Sequence, residues 1–186
     1  MLIVMGLAGA GKSTVLKYFL EKNRFIRVIN YGDVAVDIAI KRGLVKNRDE
    51  INLIPPEYHS RLQKEVVSRL KDTPKTILDT HAILRKKEGY LPGLTPDLFK
   101  KIKVEGFVFI DAPSSEIIWR RKNDKTRKRK ILTKDEIDRD RMLSEMLIAS
   151  YSAAIGAPFF LIQNRNGKIN EAVKEFEKII KFLGWK

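Results

Sequence analysis

Residues 6–13 read Gly-Leu-Ala-Gly-Ala-Gly-Lys-Ser, and no other stretch of this 186-residue chain constrains its fold as strongly. The octet matches Gly-x-x-x-x-Gly-Lys-Ser/Thr without a departure, and its flanks fit: an apolar run, Leu2–Met5, precedes it and an amphipathic run, Lys12–Lys22, follows. A strand, a tight glycine loop and a helix in that order cradle a polyphosphate. Gly6, Gly9 and Gly11 permit backbone angles and close approaches that a Cβ would block. The N–H groups of Gly6, Leu7, Ala8, Gly9, Ala10, Gly11, Lys12 and Ser13 are the candidates for the cradle, backed by the positive end of the following helix. Lys12 reaches the β- and γ-phosphates, and Ser13 offers a hydroxyl to Mg²⁺. Thr14 has two readings, a contact to the α-phosphate or an ordinary helix residue.

Strand-like apolar runs continue along the chain at Phe25–Ile29, Thr76–Leu78, Phe107–Ile110 and Phe159–Ile162. Unbroken apolar runs fit parallel strands covered on both faces. Helix signals lie between them. Asp33–Arg42 has Asp33 as its expected N-cap and Gly43 just past its end; Pro56–Leu70 opens on proline; Thr133-Lys134-Asp135-Glu136 is a capping box opening a helix to about Ile155; Ile169–Phe182 stops before Gly184. This alternation predicts an α/β P-loop NTPase fold, a parallel sheet flanked by helices. The stretches 41–56 and 123–132 are too charged for the core and read as lobes at its edge.

The chain has no cysteine, which excludes disulfides and thiolate chemistry, and only two histidines, His59 and His81. No apolar run has the length of a membrane span, and the apolar start is too short and too uncharged for a signal peptide. The net charge is +14, and the stretch from Arg120 to Lys130 carries half of it. Such a charge calls for anionic partners.

A P-loop alone does not separate kinases from GTPases and ATPases. No Asn-Lys-x-Asp guanine signature is present. Asp79, just past the third apolar run, is placed for a carboxylate that holds Mg²⁺ through water, or for a simple turn. Moving a phosphoryl group onto another phosphate is chiefly an electrostatic problem, which clustered arginines solve; Arg120, Arg121, Arg127, Arg129, Arg139 and Arg141 are candidates. A basic lid over the phosphates and an RNA-binding stretch are the competing readings of this cluster, the lid being favoured beside a P-loop. A hydroxyl-acceptor kinase would instead use Asp33 as base.

Further segments carry a resemblance: Ile29-Asn30-Tyr31-Gly32-Asp33, Gly43 to Glu50, Asp79-Thr80-His81, Gly89-Tyr90-Leu91-Pro92-Gly93-Leu94, and Asp124 to Arg129. With the P-loop, in this order, they resemble the archaeal type of adenylate kinase from residue 1 to about 182. The resemblance implies reversible phosphoryl transfer, MgATP and AMP giving two ADP, in a nucleoside monophosphate kinase-like domain with five parallel strands in the order 2-3-1-4-5. It implies an AMP-binding lobe over about 31–60, a lid over about 121–133 and a homotrimer. With neither leader nor membrane span in the sequence, the cytoplasm is the expected compartment, with neither membrane nor nucleic acid as partner. By the family resemblance Asn30, Tyr31, Gly32, Asp33, Arg48, His81 and Arg85 serve AMP, Ser13 and Asp79 the metal, and Lys12, Arg120, Arg127 and Arg129 catalysis. His81 has a second reading, a buried histidine donating to backbone. The loop 163–167 after the last strand is the candidate for the ATP adenine. His59 is expected on an exposed helix face; Met142, Met146 and Tyr151 are expected in the core, and Trp119 and Trp185 as packing anchors.

Overall fold

The computed structural model describes residues 1–87, 89–124 and 130–185, apart from the side chains of Asp49 and Asn52. The expected lid arginines Arg127 and Arg129 lie outside the described residues. Five parallel strands form the central sheet: β1 (Leu2–Gly6), β2 (Arg27–Asn30), β3 (Thr76–Asp79), β6 (Gly106–Asp111) and β7 (Phe159–Gln163). Their spatial order is β2-β3-β1-β6-β7, which is 2-3-1-4-5 when only these strands are counted. Two short strands, β4 (Ile83–Arg85) and β5 (Tyr90–Pro92), make a separate antiparallel hairpin. The helices are α1 (Lys12–Lys22), α2 (Tyr31–Lys41), α3 (Pro56–Arg69), α4 (Pro96–Lys101), α5 (Ser114–Asn123), α6 (Lys134–Ile155) and α7 (Ile169–Phe182), with a 3-10 turn at Arg48–Leu53.

The alternation of side chains along β1 divides the core in two. Leu2 and Val4 pack with Phe19 of α1 and Phe176 of α7, whose rings meet edge-on at 4.7 Å. Ile3 and Met5 face the other layer, with Ile38 of α2, Leu62 and Val66 of α3, Leu98 of α4 and Ile148 of α6. Each such fully buried side chain contributes roughly 1.5–3 kcal/mol. These two layers leave the carboxyl ends of the strands open at one rim, where Gly6, Asn30, Asp79 and Asp111 end their strands.

Several expectations are corrected. Helix α2 begins at Tyr31, two residues early, because Asn30 rather than Asp33 is its N-cap; the Asn30 Oδ1 accepts from the Asp33 N–H at 3.0 Å. His59 is buried, since it shares the inner face of α3 with Leu62 and Val66 at helical spacing. The inward stripe of α6 runs Ile137, Asp140, Ser144, Ile148 and Tyr151, so Met142 and Met146 fall on the opposite, exposed face. Trp119 is 60% exposed rather than a buried anchor, whereas Trp185 is buried and donates to Glu105. The capping box of α6 is present as read, with Thr133 and Glu136 bonded reciprocally.

Candidate active site

The loop between β1 and α1 is set by its glycines: Gly9 and Gly11 take φ of 96° and 86°, in the left-handed region where a side chain is strained. Lys12 opens α1, and its ammonium turns toward the end of β3, where it bonds the Asp79 carboxylate and donates to the Thr80 carbonyl at 2.7 Å. Lys12 and Asp79 are 7% and 6% exposed. Burial pushes the Lys12 ammonium down to about 7, and the Asp79 carboxylate is the counter-charge within reach. Asp79 also accepts from Asn30 Nδ2 at 2.8 Å, so one carboxylate joins the phosphate loop to the start of α2. Ser13 and Asp79 open together onto a groove of about 610 Å³ that Asn30, Leu16 and Lys17 also line. A hydroxyl and a carboxylate on one groove are hard oxygen donors of the kind Mg²⁺ takes, the remaining positions being filled by water and phosphate oxygens.

The outer, carbonyl side of the loop is gripped from two directions. Arg121 Nε donates to the Ala8 carbonyl at 2.7 Å, and Arg120 Nη1 to that of Ala10 at 3.0 Å. Arg120 also donates to Glu116, to the Asn164 carbonyl and to Asn166 Oδ1. The structure therefore brings Arg120 to the back of the phosphate loop, with its donors directed at protein acceptors. Asn164, in the turn after β7, donates its amide to Ala10 at 2.8 Å. Sequence reasoning reached that turn as a place for adenine but missed the side chain; an asparagine after a strand looks like turn chemistry, and its partner is 154 residues away.

On the other side of Asp79, Asn30, Gly32, Asp33 and Arg48 come together. Arg48 and Asp33 are ion-paired, and both are substantially exposed. That pairing sets a cation on one oxygen, Oδ1, of the carboxylate weighed as a base for a hydroxyl acceptor. Tyr31 is turned into the core, where burial raises its phenol. His81 is exposed, against the buried alternative, yet its Nδ1 meets the Gly6 carbonyl at 2.9 Å, as the backbone-donor reading required. Arg85 pairs with Glu136 at 3.0 Å and Asp140 at 2.6 Å, fastening the hairpin to α6. Arg141 forms a further network with Asp111, Asp138, Ser114 and the Ala112 carbonyl. Gly93 is needed for close approach, since a Cβ there would overlap the His81 carbonyl.

The chain aligns with adenylate kinases of Methanothermobacter thermautotrophicus (32% identical over 181 residues, 96% of this chain and 97% of the relative) and Thermoplasma acidophilum (34% over 178 residues, 96% and 97%). It aligns likewise with that of Pyrococcus horikoshii, 35% identical over 183 residues, 96% of this chain and 93% of the relative. The chain belongs to the adenylate kinase family. The family described as AAA domain also matches, over residues 5–138, and the chain belongs to it. Two solved structures share the architecture of this adenylate kinase-family chain. Shikimate kinase from Bacteroides thetaiotaomicron has a TM-score of 0.58 at 14% identity, covering 97% of each chain. TT1252 from Thermus thermophilus has a TM-score of 0.53 at 16% identity, covering 96% and 94%. At such identities the likeness establishes the fold alone: a P-loop kinase fold with a mostly parallel five-stranded sheet.

Proposed function

We propose that this chain transfers the γ-phosphoryl group of MgATP reversibly to AMP, giving two ADP. The observation that carries the reading is Asp79, which is bonded at once to Lys12 of the phosphate loop and to Asn30 at the mouth of the acceptor side. A donor phosphate on the loop and an acceptor phosphate near Asn30, Asp33 and Arg48 would meet beside that carboxylate. Because the acceptor oxygen is already anionic, the chain needs no strong general base. Its task is to hold several negative charges in line and to stabilise the charge of the transition state. Lys12 does this at the β- and γ-phosphates; to reach them it exchanges its bonds to Asp79 and Thr80 for bonds to the nucleotide. Ser13 and Asp79 would hold Mg²⁺, which when bound neutralises phosphate charge.

In this reading residues 31–60 form the AMP lobe and 121–133 the lid, with Arg127 and Arg129 over the junction and Arg120 bracing the loop from behind. His81 and Arg85 border the acceptor side. A homotrimer belongs to the same proposal and rests on the family resemblance; a cytoplasmic location belongs to it too and rests on the sequence. The test is to supply each nucleoside monophosphate with MgATP and follow ADP. AMP should be phosphorylated with two ADP formed per turnover; AMP no better than water as acceptor overturns the reading.

A further inference from the structure

In a trans peptide the carbonyl of one residue and the N–H of the next point in opposite directions. This chain has no cis peptide among its described residues, so whatever fixes a carbonyl of the phosphate loop also aims the following N–H. The Ala8 carbonyl is held from outside by Arg121, which aims the Gly9 N–H inward. The Ala10 N–H is spent within the loop, on the Leu7 carbonyl at 3.0 Å. The Ala10 carbonyl takes two donors, the Asn164 amide at 2.8 Å and Arg120 at 3.0 Å. The peptide these two orient is the one whose N–H belongs to Gly11, next to Lys12.

Asn164 is itself fixed. It is 5% exposed, its N–H donates to the Asp111 carbonyl at 2.7 Å, and its carbonyl receives Arg120. Its amide also packs so closely on Gly11 that a Cβ at position 11 would overlap it. Glycine is thus required there by this neighbour as well as by its positive φ.

We infer that Asn164 is a positioning residue for the phosphate donor: it turns the Ala10–Gly11 peptide so that the Gly11 N–H faces the bound polyphosphate. The inference rests on the loop being the ATP cradle. It makes the turn after β7 part of the phosphate site, although that turn lies on another strand.

The test compares Asn164→Ala, Asn164→Ser and Asn164→Asp with the unaltered chain, measuring affinity for MgATP and for AMP, KM and kcat for each, and Tm. A buried hydrogen bond lost from the cradle predicts an MgATP affinity weakened about 5- to 100-fold with AMP affinity within about twofold. Serine, with a donor but shorter reach, should fall between. The aspartate variant supplies a pH signature: ionised, its carboxylate opposes the Ala10 carbonyl, whereas the neutral acid donates to it. The MgATP deficit of Asn164→Asp, taken relative to the unaltered chain at each pH, should therefore shrink as pH falls from 8 to 5. MgATP affinity unchanged in folded Asn164→Ala and Asn164→Asp overturns the inference. So does equal weakening of MgATP and AMP, which marks a structural role only. If alanine at 164 lowers Tm too far to assay, the serine and aspartate variants decide. An unaltered chain that does not bind MgATP would overturn the function reading itself.

Discussion

Lys12 sits in a place that works against its own charge. Its ammonium is withdrawn from water, and burial brings it from the ordinary lysine range to about 7. Between that value and the ordinary 10.5 the unfolded chain holds the proton more firmly than the folded one, so this residue makes stability rise with pH across the window. Nucleotide binding has the opposite sign, because a polyphosphate demands the charged form. At pH 8 MgATP should therefore bind with uptake of up to about one proton, read by calorimetry in buffers of different ionisation enthalpy. Its affinity should weaken as pH rises above 7. No uptake at pH 8 would mean that Lys12 is charged before the nucleotide arrives. Lys12→Ala removes a charge-assisted contact from the transition state and should lower kcat by about 10²–10³-fold or more; a loss below tenfold would contradict the assigned role. The loop that carries Lys12 and Ser13 was legible as a glycine turn between strand and helix because its spacing is that of a phosphate cradle. Asn164 was not assigned, because its partner is remote in sequence, and His59 was placed on the exposed face, because one polar residue on an apolar helical stripe was weighed by its type rather than by its spacing.

At the scale of elements, periodicity and caps carried the reading. The apolar runs became the five sheet strands, and the capping box at Thr133 and the glycines after α2 and α7 set helix ends as expected. What escaped was short or ambiguous: the three-residue strands β4 and β5, whose pairing depends on a hairpin too brief to show alternation, and the six-residue α4. The hairpin matters because Arg85 ties it to α6 through Glu136 and Asp140, and Glu136 also closes the capping box just beyond the lid segment. The hairpin and the start of α6 thus share one carboxylate, that of Glu136. Arg85→Leu takes the cation from the nearly buried Asp140 carboxylate and leaves it the Tyr90 hydroxyl, at a cost of about 1–3 kcal/mol. For a chain of this size that is a Tm lowered by roughly 3–10 °C. The measurement is thermal unfolding, together with KM for AMP. An unchanged Tm would show that the hairpin is held without this clamp.

Taken as a whole, the molecule puts the phosphate loop and the Asn30–Asp33 turn on the same rim of one sheet, within a chain of net charge +14; the proposed function seats the donor on the first and the acceptor on the second. Two phosphates brought together there repel each other unless cations surround both, so a ligand carrying both nucleotides should gain more from this rim than either half. MgATP at a hundred times its Kd should stabilise the folded state by about 2.7 kcal/mol, a rise in Tm of roughly 5–11 °C for a domain of this length. Two adenosines joined by five phosphates should raise Tm further at the same concentration, and AMP added beyond that should give no extra rise because its site is filled. RNA offers the contrasting outcome. If the positive charge served nucleic acid instead, a short RNA would raise Tm in low salt and lose the effect steeply as salt increases, while the bisubstrate ligand would do no more than ATP. Differential scanning fluorimetry across the four ligands separates the two. A bisubstrate shift equal to that of MgATP alone would mean that only one nucleotide finds a seat on the rim.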